Sequence, residues 1–185
     1  MKIYLITIFV LALTLIASAT PYPGMGSSIL VDPTVGAFLA AKGFTVKTTG
    51  TPWVPVAQNE NSLIESVRFE LKNTENLKST ATLALRIDDI GNAGKLDIYA
   101  KKWIKEYSQF GFEILGSQNA QLDGNESLVI DLLQKNKMQQ IRQVLIRNNK
   151  QVAIFTCNDK KVEFAKTLPA CNQVVRSFKW SKTTL

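Results

Sequence analysis

Apolar and polar residues alternate most regularly in two stretches near the middle of the chain. Val67, Phe69 and Leu71 point one way while Arg68, Glu70 and Lys72 point the other. Ala81, Leu83, Leu85 and Ile87 repeat the pattern, with Thr82, Arg86 and Asp88 opposite. A period of two is that of a half-buried strand, and the polar residues 73–80 between the runs read as a hairpin loop. Over 95–110 the period changes. Leu96, Tyr99, Trp103, Tyr107 and Phe110 recur at steps of three and four, which predicts an amphipathic helix ended by Gly111. Its other side carries Asp97, Lys101, Lys102, Lys105 and Glu106, with opposite charges four residues apart, the pattern of a solvated helix face.

Residues 112–122 read as a strand and Asp123-Gly124-Asn125 as a turn. Residues 128–133 are apolar apart from Asp131, and so is much of 144–146 and 152–155, within runs over 142–147 and 152–157. Strands that lose their alternation in this way lie inside a sheet covered on both faces. Asn148-Asn149 supplies the positive φ of a tight turn between the last two. Beyond Cys157, Phe164, Leu168, Cys171, Val175 and Phe178 mark one side of a returning helix, which Pro169 is expected to break near Leu168. The sum is an α+β fold: an α/β/α sandwich whose central antiparallel sheet has six or seven strands flanked by helices.

The amino-terminal part is less regular. Lys2, an apolar run over 3–16 and Ala17-Ser18-Ala19 form a signal peptide cleaved after Ala19. The run is shorter than the roughly 20 residues of a membrane span, and its flank is small and polar, which favours cleavage over an uncleaved anchor. No other stretch predicts a transmembrane segment. Asp32-Pro33 caps a short helix expected over 33–42, with Phe38, Leu39 and Ala41 on its apolar side and Gly43 closing it. Phe44–Lys47 and Trp53–Val56 are short β-like runs that Pro52 and Pro55 assign to a sheet edge. The expected organisation is a signal over 1–19, a flexible leader over 20–43, one domain over 44–180 and a tail over 181–185.

Charge and cysteine content narrow the function. The formal charge is +7, which on an exported domain permits weak contact with anionic surfaces such as phospholipid headgroups. The lysines are dispersed along the sequence, so their expected role is solubility. Cys157 and Cys171 are the only cysteines, and in an exported chain they predict a disulfide worth about 3 kcal/mol for a loop of about 15 residues. Histidine is absent, which removes the commonest general base, the usual zinc ligand and every Ser-His or Cys-His nucleophile pair. No phosphate-binding glycine loop and no C-x-x-C spacing occurs. Asp88-Asp89 with Asn92, and Asp123, Asn125 and Glu126, lack the ligand spacing of a calcium loop and read as turn residues. No catalytic, cofactor-binding or metal-binding residue is expected. The candidate recognition surface combines Trp53 and Trp180 with Lys101, Lys102 and Lys105.

The order of these features resembles the PsbP/Mog1-like superfamily, which includes exported bacterial members of unknown function. The likeness runs over about 44–180. It is carried by a tryptophan after the first strand, the hairpin before Leu-Asp-Ile-Tyr-Ala-Lys-Lys-Trp (96–103), Gly111-Phe112-Glu113-Ile114-Leu115 and Asp123-Gly124. Arg142-Gln143, Phe155-Thr156, Phe164 and Val175-Arg176-Ser177-Phe178 complete it. These are packing and turn positions, so they specify fold far better than function. The superfamily's photosystem subunits bind through an amino-terminal segment and histidines that this chain lacks. The Mog1 branch's nuclear role with a small GTPase conflicts with a signal peptide. The resemblance implies a binding or assembly scaffold and carries no functional residue over.

The sequence thus predicts a non-enzymatic, periplasmic or secreted interaction domain, with a protein or envelope component as partner and no nucleic acid. The alternatives are a small carboxylate-based hydrolase or ligand-binding enzyme, and a binder of anionic lipid or polyanion.

Overall fold

The computed structural model describes residues 29–32, 36–39, 43–56, 66–72, 79–91 and 95–181. The signal expected over 1–19, the leader up to 28 and the end of the tail lie outside them. In chain order the elements are β1 (Ile29–Asp32), β2 (Gly36–Leu39), β3 (Phe44–Lys47), β4 (Trp53–Val56), β5 (Ser66–Leu71), β6 (Thr82–Asp89) and α1 (Leu96–Tyr107). Then follow β7 (Phe112–Leu122), β8 (Asn125–Gln134), β9 (Gln139–Asn148), β10 (Gln151–Lys160), α2 (Lys161–Ser177) and β11 (Lys179–Trp180). Seven strands form one antiparallel sheet in the order β4-β5-β6-β10-β9-β8-β7. The other four form a second, small sheet in the order β1-β2-β3-β11.

The large sheet is covered differently on its two faces. On one, Val67, Phe69, Leu83, Leu85, Ala153 and Phe155 meet Phe164, Cys171, Val174 and Val175 of α2, together with Phe44 and Val46 from the small sheet. On the other, Leu128, Ile130, Leu132, Leu145, Val152 and Ile154 meet Leu96 and Ala100 of α1. Val152 to Phe155 are buried one after another, as a central strand with a layer on each side requires. The disulfide joins Cys157 on β10 to Cys171 on α2, with the two Cα atoms 6.2 Å apart. Beside it, buried Asp159 accepts hydrogen bonds from Thr80 Oγ1 (2.7 Å), Thr167 Oγ1 (2.5 Å) and the Lys160 N–H (2.8 Å). One carboxylate thereby fixes the corner from β10 into α2 and ties it to the segment entering β6.

Polar tips finish the docking of α1. Tyr99 donates to Asp88 Oδ2 at 2.6 Å, and Arg86 Nη2 donates to the same oxygen at 3.0 Å. The Arg86 guanidinium carbon lies 4.9 Å from the centre of the Trp103 ring, and Tyr107 donates to Gln143 Oε1 at 2.5 Å. Burial first, and then the Asp88 carboxylate, push the Tyr99 phenol well above its ordinary value. Leu96, Tyr99, Trp103 and Tyr107 all face the sheet, whereas Phe110 is 64% exposed. The helix tightens into a 3₁₀ turn at Ser108–Phe110, which shifts the phase of the stripe before Gly111 (φ 79°) reverses the chain.

Four expectations need correction. The helix over 33–42 is not formed: 36–39 are strand β2, paired with β3 through Phe38↔Thr45 and Leu39↔Phe44. Sheet pairing outweighs the local capping signal of Asp32-Pro33. Phe44–Lys47 lies between β2 and β11, not at an edge, because Pro52 and Pro55 fall outside it; Trp53–Val56 does form the edge of the large sheet. The turn between β9 and β10 sits one residue later than expected, at Asn149-Lys150, with Asn149 at φ 52°. Finally, α2 runs unbroken through Pro169. Pro169 and Ala165 are both exposed, so the carbonyl that loses its helical donor faces water.

Two outcomes check this account. Replacing both cysteines (C157S/C171S) should lower unfolding free energy by about 3 kcal/mol in urea titrations; an unchanged midpoint contradicts a sheet-to-helix bond. A phenol whose pKa is raised on folding contributes stability that is present below about pH 10 and lost as pH rises beyond it. Tyrosinate absorbance in the folded protein should therefore show a late-ionising group that D88N brings to lower pH. Ordinary titration of all tyrosines refutes the Tyr99–Asp88 contact.

Candidate interaction surface

The tryptophans expected on a recognition surface are not there. Trp53 is 1% exposed, in the core on edge strand β4. Trp180 is buried edge-on against Phe178 and Phe44, with ring centres at 5.1 and 6.4 Å. Large flat rings next to a sheet edge bury more area inside than they offer outside. Lys101 and Lys102 do lie on the outer side of α1, where Lys101 pairs with Asp97 at 3.5 Å. They are not brought next to either indole's exposed face, because neither has one. Tyr99, Trp103 and Tyr107 are used in docking α1.

Ile98 is 57% exposed on α1, and the other exposed large apolar side chains among the described residues mark a different place. Strand register decides where they fall. Phe112 opposes Gln134, Gln134 opposes Gln139, and Gln139 opposes Lys160. The turns at 108–111 and 135–138 and the junction of β10 with α2 at 160–162 are therefore side by side at one end of the sheet. Three strand intervals span about 14 Å. Phe110, Met138 and Val162 project there, 64%, 55% and 76% exposed, and Ile114 and Leu115 follow at the start of β7. Leu115 is the extra residue of a bulge between Ile114 and Gly116, which breaks the regular alternation there. Met138 sits in the left-handed region (φ 48°), a strained position for a bulky residue. Its carbonyl accepts the Lys161 N–H at 2.8 Å, clamping this turn to the junction of β10 with α2.

Lysines surround these residues. Lys105 in the last turn of α1, with Lys135, Lys137, Lys160 and Lys161, are all exposed at this end. Lys135 pairs with Glu113 at 3.0 Å, and the other four form no ion pair with another described residue. Of the five residues nominated from sequence, only Lys105 belongs here. Sequence reasoning missed the rest because Lys135-Asn136-Lys137-Met138, a turn, and Lys160-Lys161-Val162, where β10 passes into α2, are far apart until β8, β9 and β10 pair. A lone methionine or valine beside lysines in a turn was the available signal.

The acidic groups are spent elsewhere. Asp131 holds Arg142 in a bidentate pair at 2.8 and 2.7 Å, a contact that raises the Arg142 pKa. Asp89 accepts the Gly91 N–H at 2.7 Å, Glu126 lies 3.5 Å from Arg147, and Asp123 lies 3.9 Å from Lys179. No cluster of three or more metal-ligating side chains occurs among the described residues.

The sequence matches no protein-family model and no curated protein. Solved structures do resemble it. PA94, a protein of unknown function from Pseudomonas aeruginosa, is 15% identical with a TM-score of 0.57, covering 71% of this chain and 99% of that one. Cyanobacterial PsbP from Synechocystis is 14% identical with a TM-score of 0.56, over 85% and 95%. LpqN from Mycobacterium tuberculosis, involved in cell envelope biogenesis, is 12% identical with a TM-score of 0.57, over 77% and 86%. At these identities the likeness is one of fold, and the fold is the PsbP-like α+β sandwich that the order of motifs had suggested.

Proposed function

We propose that this chain is an exported, non-enzymatic interaction domain that docks on a protein or envelope surface through the lysine-framed end of its sheet. One observation carries the reading: five of the six exposed large apolar side chains among the described residues collect at one end of the sheet, while the buried polar groups described above are engaged in holding the fold. Apolar groups left in water at adjacent chain reversals are a standing gain for any surface that covers them. Export is supported by the signal-like start of the sequence and by the disulfide, which persists in oxidising compartments. LpqN's part in envelope biogenesis places one protein of this fold in an envelope context. The absence of histidine supports a binding role over catalysis.

A photo-crosslinking residue at position 162, compared with one at 101, tests the reading in the native envelope or medium. Crosslinks from 162 and few from 101 are expected. Equal crosslinking at both positions, or turnover of a substrate by the purified protein, overturns it.

A further inference from the structure

We propose that the surface met by this end is an anionic phospholipid bilayer, an assignment that rests on the interaction-domain reading. Composition separates lipid from protein here. The buried centres of protein interfaces are depleted in lysine, whereas surfaces that lie on anionic membranes are rich in it. Around Phe110, Met138 and Val162 stand Lys137, Lys160 and Lys161, exposed and free of ion pairs with described residues. Of the nearby acids, Glu113 pairs with Lys135, Glu163 pairs with Lys166 and Asp159 is buried, which leaves exposed Glu106 against Lys105, Lys137, Lys160 and Lys161. The end therefore presents positive charge on a chain whose formal charge is already +7, so field and patch agree in sign.

The shape fits the same partner. Phe110, Met138 and Val162 belong to three different chain reversals. They stand singly in a row about 14 Å wide, able to dip between headgroups while the lysines reach phosphates. Met138 adds a second sign. Glycine would relax its left-handed backbone, yet an exposed thioether occupies the position. Strain at an exposed apolar tip is accounted for when the tip has something to enter. The dispersion of lysines along the sequence, which suggests only solubility, is undone by the strand pairing that gathers them.

Sedimentation of the exported protein with vesicles tests this, using phosphatidylcholine alone or mixed with phosphatidylglycerol. Binding should require phosphatidylglycerol and fade in about 1 M salt, where the screening length contracts to about 3 Å. K137E/K161E should weaken it by about tenfold or more, given the attraction expected per lysine near such a surface. K101E/K102E should leave it nearly intact. M138G should weaken binding without lowering the melting temperature, because glycine suits that backbone, so lost binding cannot be put down to lost folding. No binding to phosphatidylglycerol vesicles, or equal loss in both reversal variants, overturns the proposal. A protein crosslinked at 162 without vesicle binding overturns the lipid assignment alone and leaves the interaction-domain reading standing.

Discussion

Burial of β10 on both of its faces is the constraint from which the rest of the architecture follows. Val152 to Phe155 have no polar side to turn to water, and Val152, Ile154 and Phe155 each gain about 1.5–3 kcal/mol only if something covers them. One helix must therefore pack on each face, and the chain supplies α1 before the strand and α2 after it. Because α2 follows β10 directly, it has to fold back over the strand it has just left. The Asp159 corner and the Cys157–Cys171 bond secure that reversal at its start and midway.

The same constraint produces the surface. Antiparallel pairing from β7 to β10 aligns the strand ends, so every second turn emerges at the same end of the sheet. That end holds Phe110, Met138 and Val162, which local sequence leaves in three unrelated places. The residues that sequence nominated were drawn inward for an equally simple reason. Trp53 and Trp180 carry the largest apolar areas near the join between the two sheets, and that join has to be closed.

What was legible in the chain was what periodicity alone decides. The alternation through Val67–Phe69 and Leu83–Leu85 survives as paired strands, and Leu96, Tyr99, Trp103 and Tyr107 survive as the face of α1. The cysteine pair was legible because no other partner exists. Gly36–Leu39 was not, since four residues with a plausible helix cap carry no periodic signal, and β3 offers them a pairing edge. Pro169 misled because its cost depends on whether Ala165 faces water, which is a tertiary fact. The apolar, lysine-framed end was illegible for the strongest reason: it exists only once register is set.

The fold it shares with PA94, cyanobacterial PsbP and LpqN is thus a rigid frame whose loops are brought together by pairing, and function on such a frame belongs to its surface. Amide hydrogen exchange of the disulfide-bonded protein, with and without phosphatidylglycerol vesicles, measures that most directly. Protection should appear at 108–115, 135–138 and 160–163, with the outer side of α1 around 101 unchanged. Protection centred on α1, or spread evenly over the molecule, would contradict the account.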